Sequence, residues 1–150
     1  MHENEILCFT DAIQLVHNKF YVDGINKFQQ LVNEFPESDL ADDALYNIGL
    51  CYFEMNQFNQ CIEILEEMIE QYPDATISAL ESENEFGKTA GKALYLIILS
   101  FIALDDKNKV EYYMESINDF NDTYMTNDGK KITFPELAQK AVKKFLQLIK

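Results

Sequence analysis

Apolar residues recur along this chain at three- and four-residue spacings, and polar runs interrupt them at short intervals, the pattern of successive amphipathic helices. The pattern itself repeats. Gly24, Phe28, Leu31 and Pro36 return 37 residues later as Cys61, Leu65, Met68 and Pro73, with Tyr21 and Phe58 in the same register. Two copies of one helical unit are predicted, each closed by a proline that cannot continue a helix. Upstream in the second copy, Leu45, Ile48, Gly49 and Tyr52 mark a first helix, and Asn56 marks the turn to the second. Gly49 permits close approach of the two helices, with Tyr52 and Leu65 filling the space beside that contact.

The first copy is weaker upstream, where Cys8, Asp11, Ala12 and Leu15 take the matching positions and only Ala12 and Leu15 fit comfortably, as a terminal repeat should. A third copy aligns from Ala93-Leu94-Tyr95 through Phe101, Val110, Met114 and Ile117, but lacks the glycine and the proline. Between the second and third copies, residues 75–87 carry Glu81, Glu83 and Glu85, and periodicity does not decide between a loop and a helical extension. Thr133-Phe134-Pro135-Glu136 has the spacing of a capping box with proline in the first turn, so a last helix begins there. It sets Leu137, Ala141, Phe145, Leu148 and Ile149 to one side and Lys140, Lys143 and Lys144 largely to the other. That suits a helix covering the last exposed apolar face of an array. The expected organisation is one domain over 1–150: repeat 1 at about 5–38, repeat 2 at about 39–74, insertion 75–87, degenerate repeat 3 at about 88–124, and a capping helix at about 134–149.

The Leu45, Ile48, Gly49, Tyr52 series followed by Cys61, Leu65, Met68 and Pro73 resembles the tetratricopeptide repeat. The resemblance implies an all-α fold, a right-handed α-α superhelix of about three helix pairs plus the capping helix. The 37-residue step and the phrase from Ser38 to Gly49 are similar to the repeats of the Tol-Pal-associated periplasmic family. In such arrays the first helix of each pair lines a concave groove that holds an extended peptide or a helix. Carried over by register, the groove residues are Phe9 and Ile13, then Tyr46, Asn47, Leu50 and Phe53, then Lys92, Tyr95, Leu99 and Ile102. Some relatives grip a terminal carboxylate there. Asn47 and Lys92 fall at two of those clamp positions, but Phe9, Ile13 and Leu96 occupy the other three, which disfavours a carboxylate clamp.

Charge narrows the partners. The net charge is −14, with 12 Lys and no Arg, which excludes a phosphate-binding stripe and with it nucleic acid. The charge is uneven: residues 1–127 hold 24 acids against 6 lysines, a balance of −18, while residues 128–150 hold 2 acids against 6 lysines, a balance of +4. The longest apolar run, the 12 residues from Ala93 to Leu104, is too short to span a bilayer and reads as a buried helix, so no membrane insertion is expected. His2-Glu3-Asn4-Glu5 is acidic where a secretory signal needs bases. Three unpatterned cysteines, Cys8, Cys51 and Cys61, suit reduced buried thiols. A cytoplasmic protein is expected, periplasmic if a leader is removed.

Candidate chemistry is sparse. His2 and His17 are the two histidines and have no patterned partners. Glu63, Glu66 and Glu70 share a helix face with no lysine opposite, which reads as solvated surface. Cys51 and Cys61 lack partners at zinc spacing. Asn127-Asp128-Gly129 is a turn rather than a calcium loop, since Tyr124 and Thr126 stand where ligands are required. No catalytic residue, metal or cofactor is therefore expected. The leading expectation is a non-enzymatic adaptor or scaffold that binds a peptide or helix of another protein. The alternatives are a small acidic chaperone similar to those of type III secretion, and a self-associating subunit or homodimer.

Overall fold

Among the described residues, 3–148 of the computed structural model, seven α-helices form the architecture: α1 (Glu3–His17), α2 (Tyr21–Glu34), α3 (Ala41–Glu54), α4 (Phe58–Gln71), α5 (Thr89–Ala103), α6 (Lys107–Ile117) and α7 (Phe134–Leu148). Each helix packs on the next up to α6, and α7 packs on α5 and α6, the arrangement of an all-α helical repeat. His2 and Ile149 lie outside the described residues.

The turns inside the three helix pairs share one backbone geometry. The turn inside each pair places one residue in the left-handed region, Lys19 (φ 65), Asn56 (φ 61) and Asp105 (φ 57). The hydrogen bonds match as well. Lys19 N donates to Val16 O, Asn56 N to Phe53 O and Asp105 N to Ile102 O, and in each turn the next amide donates to the carbonyl five residues before it. The third pair is thus a true copy of the turn, although its sequence lacks the glycine and proline that mark the second.

Close packing explains Gly49. A Cβ added there would meet Leu65 Cδ2 at 2.6 Å and Cγ at 2.8 Å, so α3 and α4 touch through backbone against leucine. The core runs continuously from Phe9 and Phe28, whose rings meet edge-on at 5.6 Å, through Ile48, Leu65 and Met68 to Ile97, Ile98, Val110 and Ile117. Cys8, Cys51 and Cys61 are free and buried, and burial pushes the Cys51 thiol up to about 12 and the Cys61 thiol up to about 11. They pack as small apolar side chains.

Two features go beyond the repeat pattern. The insertion forms no helix. Its ends pair as an isolated bridge between Thr76 and Lys88, and Ile77 N donates to Gly87 O at 2.9 Å, closing residues 75–88 into a strap. The strap contributes β1 (Glu85–Phe86) to a three-stranded antiparallel sheet ordered β1-β2-β3, with β2 (Tyr124–Asn127) and β3 (Lys130–Thr133). The turn read at Asn127-Asp128-Gly129 is the tip of that hairpin, with positive φ at Asp128 (52) and Gly129 (77), as a tight hairpin turn requires.

The capping box is present in part: Glu136 N donates to Thr133 Oγ1 at 3.2 Å at the start of α7. The helix is turned from the expected orientation. Its buried stripe is Phe134, Ala138, Val142 and Phe145, while Leu137 and Ala141 are half-buried and Leu148 is 85% exposed. The aromatic pair of Tyr95 with Phe134, centroids 5.8 Å apart, seats the first turn of α7 on α5 and accounts for the rotation.

Candidate partner-binding face

Helix α3 is buried around nearly its whole circumference from Ala41 to Gly49, so its polar residues need partners inside the fold. They find them in the strap and in α5. Thr89 of α5 donates its hydroxyl to Asp42, and Ser78 N donates to both carboxylate oxygens of Asp43 at 3.3 Å. Asn47 Nδ2 donates to Asp43 O at 2.8 Å and to Glu81 Oε2 at 2.5 Å. Lys92, whose side chain is 7% exposed, donates to Glu81 Oε1 at 3.1 Å, lies 2.6 Å from Glu85 Oε1, and places its ammonium 4.2 Å from the centre of the Tyr46 ring. Among the described residues, no buried side-chain nitrogen or oxygen lacks a hydrogen bond.

The electrostatics follow from burial. Burial pushes the Asp42 carboxyl up to about 6, against the lowering effect of the Thr89 hydroxyl. Burial, reinforced by the charges of Asp42 and Glu81, pushes Asp43 up to about 9, so Asp43 holds its proton near neutral pH. Burial alone would lower the Lys92 pKa, but Tyr46 and the carboxylates of Glu81 and Glu85 raise it above the usual lysine range. The ammonium therefore stays charged, bracketed by the strap.

The ten residues predicted for the groove divide into three groups. Phe9 is fully buried against Phe28, between α1 and α2. Tyr46, Asn47 and Lys92 are brought together, and they are covered by Glu81 and Glu85 of the strap. Ile13, Leu50, Phe53, Tyr95, Leu99 and Ile102 are half-buried residues packed on the edge of the core. On α3 and α5 four of the last five fall at equivalent turns, Leu50 with Leu99 and Phe53 with Ile102, while Tyr95 stands one turn before Leu99, and α3 and α5 are neighbours. An apolar strip thus stays partly open at the C-terminal halves of these helices, while the chain's own carboxylates close the polar N-terminal halves.

Sequence reasoning missed Glu81, Glu85, Asp42, Asp43, Ser78 and Thr89 as members of this cluster. One signal was legible: Asp42-Asp43 sits within a stretch that is otherwise core, and buried carboxylates require polar partners elsewhere in the chain. The acids of α4 behave as expected. Glu63, Glu66 and Glu70 are exposed, and Glu66 accepts the Tyr113 hydroxyl.

A tetratricopeptide-repeat family model matches residues 43–75, the second helix pair and the turn that follows it. That match supports a tetratricopeptide-like repeat at this pair, and the equivalent turns of the other two pairs agree with it. Repeats of this family are generally protein–protein interaction modules and are typically non-catalytic. No curated protein matches the chain. Among the described residues, no helix is long and apolar enough to cross a membrane.

Proposed function

We propose that the chain is a non-enzymatic adaptor that docks a segment of another polypeptide along the strip formed by α3 and α5. One observation carries the reading: Leu50, Phe53, Tyr95, Leu99 and Ile102 stay half-buried together on two neighbouring helices, each the first of its pair. Tyrosine and leucine in such a strip supply contact area for the apolar anchors of a partner at small entropic cost. A terminal-carboxylate ligand at Asn47 and Lys92 is disfavoured, because Glu81 already takes the hydrogen bonds that such a ligand would need. The phrase from Ser38 to Gly49 supports kinship in repeat type with the Tol-Pal-associated repeats, while the three buried thiols, against the periplasmic setting of that family, support a reducing compartment.

The test is a pull-down from native cell lysate with the wild-type chain and with Leu50→Glu/Tyr95→Glu, both checked for equal helicity by circular dichroism. A polypeptide captured by the wild type and lost by the variant supports docking on the strip. Capture that is unchanged in the variant removes it. An empty capture, with light scattering showing a dimer that the variant breaks, assigns the strip to self-assembly instead.

A further inference from the structure

The same face has a basic end, which deepens the docking proposal above and rests on it. Between α5 and α7 lies a cleft of about 580 Å³, floored by Tyr95, Leu137 and Ala141 and rimmed by Lys140, Lys143 and Lys144. The three lysines are exposed, and among the described residues none of them makes an ion pair, not even Lys140 with Glu136 one turn before it. Most other described lysines, among them Lys19, Lys27, Lys107 and Lys130, make no ion pair either; what sets these three apart is their crowding into five residues beside an apolar floor. Covering the end of the array needs only the buried stripe Phe134, Ala138, Val142 and Phe145, and uncharged polar residues would serve the outer side equally well. Three lysines within five residues repel one another unless something neutralises them.

We propose that this cleft receives an acidic segment of the partner polypeptide, with one bulky apolar side chain seated on Tyr95 and Leu137 and carboxylates on the lysine rim. An apolar floor inside a cationic rim is complementary to that chemistry, since the floor supplies anchoring and the rim supplies attraction and orientation. Flat anionic surfaces fit less well. A negatively charged bilayer or a nucleic acid is extended and must also face residues 1–127, with a balance of −18, whereas a short segment lies within the cleft beside the lysines. Continuity through Tyr95, which belongs both to the cleft and to the strip, lets one segment run from the lysines toward Leu99 and Ile102.

The test is selection from a random displayed-peptide library on the full chain, in parallel with Lys140→Glu/Lys144→Glu and with Leu50→Glu, each variant first shown to match the wild type in helicity. The expected peptides carry net negative charge around a Phe, Leu or Ile. Their affinity should fall about tenfold in Lys140→Glu/Lys144→Glu, the sum expected of two reversed exposed ion pairs, and should weaken with added salt. Neutral or basic winners, winners indifferent to the lysine substitutions, or no winners at all would overturn the proposal. Peptides that lose binding with Leu50→Glu but not with the lysine variant would leave the strip intact as a docking site and remove the acidic partner. Two further outcomes also overturn it: co-sedimentation with phosphatidylserine vesicles that depends on the lysines, and a wild-type dimer that the lysine variant dissociates, which would assign the cleft to a second copy.

Discussion

Two groups of lysines lie on neighbouring parts of one face and live in opposite circumstances. Lys92 is buried, stacked over Tyr46 and bracketed by Glu81 and Glu85, while Lys140, Lys143 and Lys144 stand exposed around an apolar cleft without a counter-charge. Taking an ammonium out of water costs several kcal/mol unless carboxylates and hydrogen bonds replace the solvent, so Lys92 is tied to structure. The exposed lysines incur no such cost and hold nothing in place. Paired buried charge belongs to the fold, and unpaired exposed charge beside an apolar floor is available to a partner.

Removing Lys92 should break this comparison hardest. In Lys92→Met the carboxylates of Glu81 and Glu85 lose their cation, and stability to urea should fall by about 3–5 kcal/mol. Amide exchange should speed up across residues 75–88 if the strap is held as described. A loss near zero would mean that the cluster is solvated and the strap loosely attached.

Titration of Asp43 comes next. Its folded pKa of about 9 lies above the ordinary 3.8, so the stability it contributes is complete below the lower value and is lost as pH climbs through the higher one. Asp42, at about 6, is already ionised above pH 7, and the thiols of Cys8, Cys51 and Cys61, ordinarily at 9.0 and raised in the fold, stay largely protonated below about pH 8 even when unfolded, which isolates Asp43 in the window from about pH 7 to 8. Across it the wild type should lose stability with a slope no steeper than about 1.4 kcal/mol per pH unit, the limit for one proton. Asp43→Asn should flatten that slope, since it keeps an acceptor for Ser78 and cannot ionise. Parallel slopes in the two proteins would contradict the assignment.

Gly49→Ala probes the repeat contact itself. Alanine favours a helix by about 1 kcal/mol over glycine, but the new methyl would press on Leu65, and a net loss of about 1–3 kcal/mol in thermal or urea unfolding is expected. A stabilised variant would show that α3 and α4 have room to spare. Smallest of all, Lys140→Glu/Lys144→Glu should leave stability within about 0.5 kcal/mol of the wild type. A larger loss by chemical denaturation would place those lysines in the fold and erase their difference from Lys92.

The repeat was legible because it rests on spacing. Gly49 against Leu65, the proline that ends each of the first two pairs, and the alignment of the third copy from Ala93 all follow from which residue types recur at which distance. The sheet was harder to read for reasons that differ strand by strand. Asp128-Gly129 between Tyr124–Asn127 and Lys130–Thr133 is a recognised two-residue hairpin signal flanked by strand-forming residues, and it called for a hairpin where the sequence reading stopped at a turn. Strand β1 has only two residues and no local pattern, since it exists because Thr126 N can reach Asn84 O across 42 positions of chain. The coverage of Asn47 and Lys92 has the same origin. Register put both on one shared face, but no local signal showed that Glu81 and Glu85 fold back onto them. The turned stripe of α7 depends on Phe134 finding Tyr95, again a distant contact.

The most direct measurement of whether this face docks a polypeptide is site-specific photo-crosslinking. A benzophenone amino acid is placed at Tyr95, or at Tyr112, which lies on α6 and is 57% exposed, and the chain is irradiated in native lysate. The docking account predicts a heavier adduct with another polypeptide from position 95 and none from position 112. Equal adducts from both positions, or an adduct from position 95 that is a dimer of this chain alone, would contradict it.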